Sequence, residues 1–318
     1  MPDFAVHYAF GQEVRGALAP ETADRLREAP YIFGLFGPDP WFMYHLWERG
    51  RGRGRTMHTR KTGAFLTALA VQAREAEGAE AREQIFSYLA GFLCHYALDA
   101  GAHPYIIYET TERCRKKRAH QAMERTMDVR EMTRQGDWGG RHPLTEKYYP
   151  RLRLPPEMRA AMDAAYRQVY GWEHAWRTEN RCYALYRQVY RRMENPRGWV
   201  TRLARKEGRE ALQAFSYAGS YLRDADVENN EHREWEHPYV PGRVSRASFG
   251  ELREAARAEA VRMISAARRF ADDPDMTEEA LREAIGNRSY LSGLDAEDPA
   301  NWRVPSLSPA PDGQEASS

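Results

Sequence analysis

The sequence predicts an all-α protein organised as one multi-helix, bundle-like domain, and three observations carry that prediction. Apolar residues recur at helical spacing along most of the chain, short alternating β-branched runs with hairpin turns are nearly absent, and one long segment is apolar around most of its circumference. Of 318 residues, 42% are hydrophobic and 29% charged, the balance of a chain that folds rather than one that stays disordered.

The elements follow in order. Thr62 to Ala76 reads as a helix with Phe65, Leu66, Leu69 and Val71 at its apolar positions, ended near Gly78. Ala81 to Ala102 carries Ile85, Phe86, Leu89, Phe92, Leu93 and Leu98 on several sides, which predicts a central, buried helix. A third helix is expected from Glu112 to Arg134, then a loop rich in Gly, Pro and Tyr from Gly136 to Pro156. Further helices are predicted at about 157–193, 197–223, 247–272 and 277–287. The domain is drawn over 1–290, with 291–318 as a mostly disordered tail, because Val304 to Ser318 has too few apolar residues to offset the entropy of ordering.

Forty-seven Lys and Arg against 46 Asp and Glu leave a net charge of +1, which removes global electrostatics as an argument for a nucleic-acid or anionic-membrane partner. No apolar run approaches the length of a membrane span, and Met1-Pro2-Asp3-Phe4 lacks a basic n-region, so a cytoplasmic protein is expected. Cys94, Cys114 and Cys182 are odd in number and scattered, which reads as reduced thiols rather than a disulfide framework or a thiolate zinc site.

Chemistry concentrates on the central helix. His95, Asp99 and His103 stand four residues apart and project from one face at successive turns. A buried carboxylate beside two imidazoles costs several kcal/mol unless compensated, and a cation compensates it directly. Imidazole nitrogen and carboxylate oxygen are donors that zinc accepts, and a carboxylate can bridge two ions. The next helix repeats the spacing with His120 and Glu124, and a helical hairpin would bring this pair toward the first face. Upstream lie His58, in Met57-His58-Thr59 at the start of the helix before the central one, Asp39, in Gly37-Pro38-Asp39-Pro40 and read as loop-borne, and His7 near the N-terminus.

Each residue alone has a plainer explanation. A lone histidine is more often a satisfied core or surface side chain, and His45, His142, His174, His232 and His237 are left in that class. Asp39 could be a turn residue between prolines, His7 a surface residue, and Glu124 part of a solvated helix face. Their conjunction decides the matter: a His-x3-Asp-x3-His run is expected by chance in roughly one or two per cent of chains with this histidine content.

At these residues the sequence resembles the zinc-dependent phospholipase C family, whose relatives in fold include single-strand-specific zinc nucleases. The matching segments run in the family's order: His7, Gly37-Pro38-Asp39, His58, His95-x3-Asp99 with His103, and His120-x3-Glu124. The resemblance implies that His58, His95 and Asp99 hold one zinc and that His103, His120 and Glu124 hold a second. Asp99 would bridge toward a third ion, which in the family is held partly by an N-terminal tryptophan with a histidine that His7 matches. No tryptophan precedes His7 here, so two or three zinc ions are expected.

Clustered zinc ions activate a water for in-line attack on phosphorus, with Asp39 as candidate general base or additional ligand. In the run Arg51-Gly52-Arg53-Gly54-Arg55, Arg53 and Arg55 are candidate phosphate contacts, although a solvated loop is the plainer explanation. Asn229, Asn230, His232, Trp235 and His237-Pro238-Tyr239 form a polar and aromatic cluster, read as packing. The expected activity is a zinc-dependent, phospholipase C-like phosphodiesterase acting on a phosphoester, phospholipid among the candidates. A nuclease or nucleotide hydrolase on the same scaffold, a non-catalytic zinc-stapled protein, and an iron or manganese phosphohydrolase are the alternatives.

Overall fold

A computed structural model of the chain describes residues 4–46, 52–114, 116, 118–138, 147–193, 217, 222 and 224–302. The described residues form an all-α fold with one small two-stranded ribbon. Helices α1 (Phe4–Ala17), α2 (Pro20–Ala23), α3 (Glu28–Leu35), α4 (Arg53–Thr59) and α5 (Thr62–Glu75) precede the long α6 (Ala79–Tyr108). After it come α7 (Ala119–Arg134), α8 (Pro156–Tyr170), α9 (Ala175–Met193), α10 (Phe249–Asp272) and α11 (Glu278–Ile285). Strands β1 (Trp235–Glu236) and β2 (Val244–Ser245) pair antiparallel, with Trp235 opposite Ser245.

The 30-residue α6, about 45 Å long at 1.5 Å per residue, is the axis of the core. Every residue from Ile85 to Ala100 is buried, the condition for a helix that is apolar all round. Phe86, Leu89, Phe92 and Leu93 each contribute about 1.5–3 kcal/mol by leaving water. Helices α1, α3, α5, α8 and α10 pack against it. The α3 contact brings backbones together: a Cβ on Gly34 would lie 2.2 Å from the Tyr88 carbonyl oxygen, and one on Gly91 2.1 Å from that of Tyr31. Helix α10 starts with a capping box in which Ser248 accepts the Glu251 N–H and the Glu251 carboxylate accepts the Ser248 N–H.

Several elements differ from the sequence expectation. The helix predicted over 157–193 is two helices, α8 and α9, because Gly171 adopts φ +69° and ends α8. The helix expected from Glu112 begins at Ala119, preceded by a wide π-type turn over Glu109–Arg113. The helix expected at 197–223, apart from Tyr217 and Leu222, residues 139–146 of the expected loop, and Val304 to Ser318 lie outside the described residues. Residues 291–302 are described; Ser292 is buried, and its carbonyl accepts from His237 Nε2 at 3.1 Å.

Candidate metal centre

Five segments converge on the predicted face of α6, where His95, Asp99 and His103 are fully buried. Helix α1 brings His7, whose ring stacks on His95 at 4.0 Å and whose Nε2 lies 3.3 Å from Asp99 Oδ1. That helix is aimed by α7: the Asp128 carboxylate accepts the N–H groups of Ala5 at 3.3 Å and Val6 at 3.0 Å, satisfying donors that a helix start leaves open. Burial pushes Asp128 up to about 7 against the opposing effect of Arg125.

The turn after α3 delivers Asp39. Gly37 has φ +51°, and a Cβ there would lie 2.4 Å from His95 Cδ2, so the turn passes against the imidazole where only glycine fits. Asp39 Oδ1 then stands 3.2 Å from His58 Nε2 and 3.7 Å from His95 Nε2. From α4, His58 donates its Nδ1–H to the Gly54 carbonyl at 2.6 Å. His95 donates its Nδ1–H to the Leu35 carbonyl at 3.0 Å and holds Nε2 3.1 Å from Asp99 Oδ2. His103 donates its Nδ1–H to the Tyr290 carbonyl at 2.8 Å. Three histidines thus fix the same tautomer through a backbone oxygen and present Nε2 to the cluster, the arrangement of ligands oriented from behind. On α7, His120 Nε2 lies 2.7 Å from Glu124 Oε1, and the His120 ring runs parallel to that of His103 at 5.8 Å.

The donor atoms fall into three groups, each within 4.8 Å: His7, His95 and Asp99; Asp39, His58 and His95; His103, His120 and Glu124. Their chemistry fits a metal. His95 Nε2, His103 Nε2 and both Asp99 oxygens are buried and form no hydrogen bond among the described residues, a costly state that a coordinated cation relieves. Burial lowers His7 to about 4, helped by His95, and lowers His103 to about 3. His120 is likewise held well below its usual range by burial. These imidazoles are neutral at pH 7 and keep lone pairs for coordination. Burial pulls His95 down, but Asp99 and Asp39 outweigh it and raise it; burial pushes Asp99 up, but His95 and His103 outweigh it and hold it well below the carboxylate range.

The predicted residues therefore come together, with different neighbours in two places. His58 groups with Asp39 and His95, whereas Asp99 groups with His7 and His95. His58 lies fully buried in its own short helix α4 rather than at the start of the helix that follows, and His7 is buried rather than at the surface. Asp39 opens a 3-10 segment over Asp39–Leu46. The arginine run is helical from Arg53. The Arg53 guanidinium sits over the rings of Tyr44 at 4.5 Å, Trp172 at 4.7 Å and Trp41 at 5.4 Å, while Arg55 is exposed and Arg51 lies outside the described residues. Sequence reasoning missed Asp128 and Tyr290: Asp128 continues the four-residue spacing of His120 and Glu124 on α7, a signal that could have found it, whereas Tyr290 touches the site through its backbone groups and leaves no signal of spacing.

An all-α fold whose buried histidine and carboxylate clusters gather around one central helix, and could hold metal ions there, defines the class. Residues 6–176, which include every donor named above, match the family described as zinc dependent phospholipase C, and the chain belongs to that family. Neither the curated proteins nor the solved structures gave a match.

Proposed function

We propose that the chain is a zinc-dependent hydrolase of phosphate esters, a phospholipase C-like phosphodiesterase. The observation that carries the proposal is the buried, hydrogen-bond-deficient Asp99 between His7, His95 and His103, with a second histidine–carboxylate group one helix away. Asp39, His58, His95 and Asp99 would hold one zinc; His103, His120 and Glu124 would hold a second; His7 with Asp99 would serve a third. Zinc bound there supplies a water acidified toward neutrality and polarises phosphoryl oxygens.

The chain's own groups do the rest. Asp39, 4% exposed and beside two imidazoles, is the proposed acceptor of the nucleophile's proton, or a further ligand. The His120 side chain is 20% exposed while those of His58, His95, Asp99 and His103 are buried, so the phosphoester is proposed to approach from the His120 side. Arg53 and Arg55 are proposed phosphate contacts; Arg55 is exposed, whereas the Arg53 guanidinium sits over three aromatic rings. Among the described residues no helix is long and apolar enough to cross a membrane.

The test is the metal content of purified protein by plasma mass spectrometry, wild type against Asp99→Ala, paired with hydrolysis of a soluble phosphodiester and of phosphatidylcholine. Two to three zinc per wild-type chain, lost in the variant together with hydrolysis, is the expected result. A wild type without stoichiometric metal, and a folded variant indistinguishable from it, would sink the proposal.

A further inference from the structure

We infer that Tyr290, outside the segment that matches the family, is a positioning residue whose backbone clasps two proposed zinc ligands, His58 and His103, and sets the tautomer of the second. The inference rests on the metal reading above. The Tyr290 N–H donates to the His58 carbonyl at 2.8 Å, and the Tyr290 carbonyl accepts the Nδ1–H of His103 at 2.8 Å. Its buried ring lies edge-on to His58 at 5.2 Å and tilted to His95 at 5.9 Å. One residue therefore meets ligands from α4 and α6 together.

The clasp is itself held from several sides. The Arg288 N–H donates to the Tyr96 hydroxyl on α6 at 2.6 Å, and Thr62 Oγ1 on α5 donates to the Arg288 carbonyl at 2.8 Å. Within the loop, the Ser289 N–H donates to the Leu294 carbonyl at 2.8 Å and the Gly293 N–H to the Ser289 carbonyl at 2.9 Å. Gly293 has φ +68°, and a Cβ there would lie 2.4 Å from the Ala100 carbonyl oxygen. Pro104, one turn on, has no N–H to offer that oxygen, so α6 leaves space on which the glycine backbone rests.

The consequence concerns His103. Its Nε2 is buried and forms no hydrogen bond among the described residues. With Nδ1–H committed to Tyr290, Nε2 carries the lone pair and points it in a fixed direction; without that carbonyl the neutral ring is free to carry its proton on Nε2, where it blocks coordination.

The experiment compares full-length wild type with Tyr290→Phe, Tyr290→Ala and Gly293→Ala, measuring zinc affinity by chelator competition and folding of the zinc-free forms by circular dichroism. Tyr290→Phe, which keeps ring and backbone, should match wild type. Tyr290→Ala and Gly293→Ala should stay folded and lose about 10- to 100-fold in zinc affinity; unchanged affinity in the folded variants overturns the inference. If both variants fail to fold, long-range proton–nitrogen correlation on zinc-free wild type decides, with His103 assigned by comparison with His103→Gln. A proton on Nδ1 supports the clasp and a proton on Nε2 overturns it. Wild type that binds no zinc would sink the metal reading, whereas the tautomer measurement addresses the clasp separately.

Discussion

The Nδ1–H of His95 donates to the carbonyl oxygen of Leu35 at 3.0 Å, so the histidine at the middle of α6 is aimed by the last residue of α3. The turn that follows runs through Gly37, whose missing Cβ is what lets the chain pass the His95 ring. Gly37→Ala combines an unfavourable positive φ with a 2.4 Å approach to His95 Cδ2. It should cost more than about 1 kcal/mol of stability and move the imidazole. Urea unfolding and zinc competition check both effects; a variant as stable as wild type with full zinc affinity would show that the turn tolerates a side chain.

Asp39→Asn separates two roles for one carboxylate. The variant should fold and lose about 10²- to 10⁴-fold in kcat on a soluble phosphodiester. Zinc analysis then assigns the role: full metal content marks a proton acceptor, and loss of one ion marks a ligand. Undiminished kcat excludes both.

Removing metal should destabilise the fold. Zinc binds deprotonated donors that converge only in the folded chain, and free zinc at a hundred times the dissociation constant adds about 2.7 kcal/mol per independent site. Thermal unfolding with and without a chelator should show a lower midpoint for the zinc-free protein, recovered on adding zinc back. Identical midpoints would count against a folded-state metal site.

A pH effect is expected away from the metal ligands. Glu179 on α9 is buried and accepts from the Tyr166 hydroxyl at 2.8 Å and the Tyr88 hydroxyl at 3.4 Å, while the Trp41 indole N–H donates to the Tyr166 hydroxyl at 3.0 Å. Burial pushes Glu179 up to about 8 from 4.5, with the Tyr166, Tyr88 and Trp41 bonds opposing it. Between those values the folded chain keeps a proton that the unfolded chain releases. Its contribution to stability is thus full below about pH 4.5 and is lost as pH rises through about 8. Glu179→Gln removes that loss, so its stability relative to wild type should improve by a few kcal/mol between mildly acidic and alkaline pH. Urea unfolding of both proteins across that range is the check; a constant difference would refute the prediction.

The parts of the site written in the sequence are those borne on regular helix. His95, Asp99 and His103 on α6, and His120 with Glu124 on α7, share faces because α-helical periodicity makes neighbours of residues four apart. The all-α class is legible for the same reason. Helix α4 is not, because Gly54, Thr56 and Thr59 lower the helix propensity of a seven-residue segment that has no apolar stripe; its contact with the Asp39–Leu46 segment supplies the support. Gly171 sits in an otherwise continuous amphipathic pattern, and the positive φ of Gly171 and of His174 separates α8 from α9. Tyr290 and Leu35 act through carbonyl oxygens, which every residue has, so nothing in their side chains marks them.

His95 belongs to two of the three donor groups, and with Nδ1 engaged by Leu35 it has one lone pair to give. An ion beside Asp39 and His58 and an ion beside His7 and Asp99 would compete for that single pair. Asp99, with two oxygens, can face both. On the proposed metal reading, loading would run as a queue: an ion that took His95 beside Asp39 and His58 would leave the next with only His7 and Asp99, and that second ion would leave first on dilution.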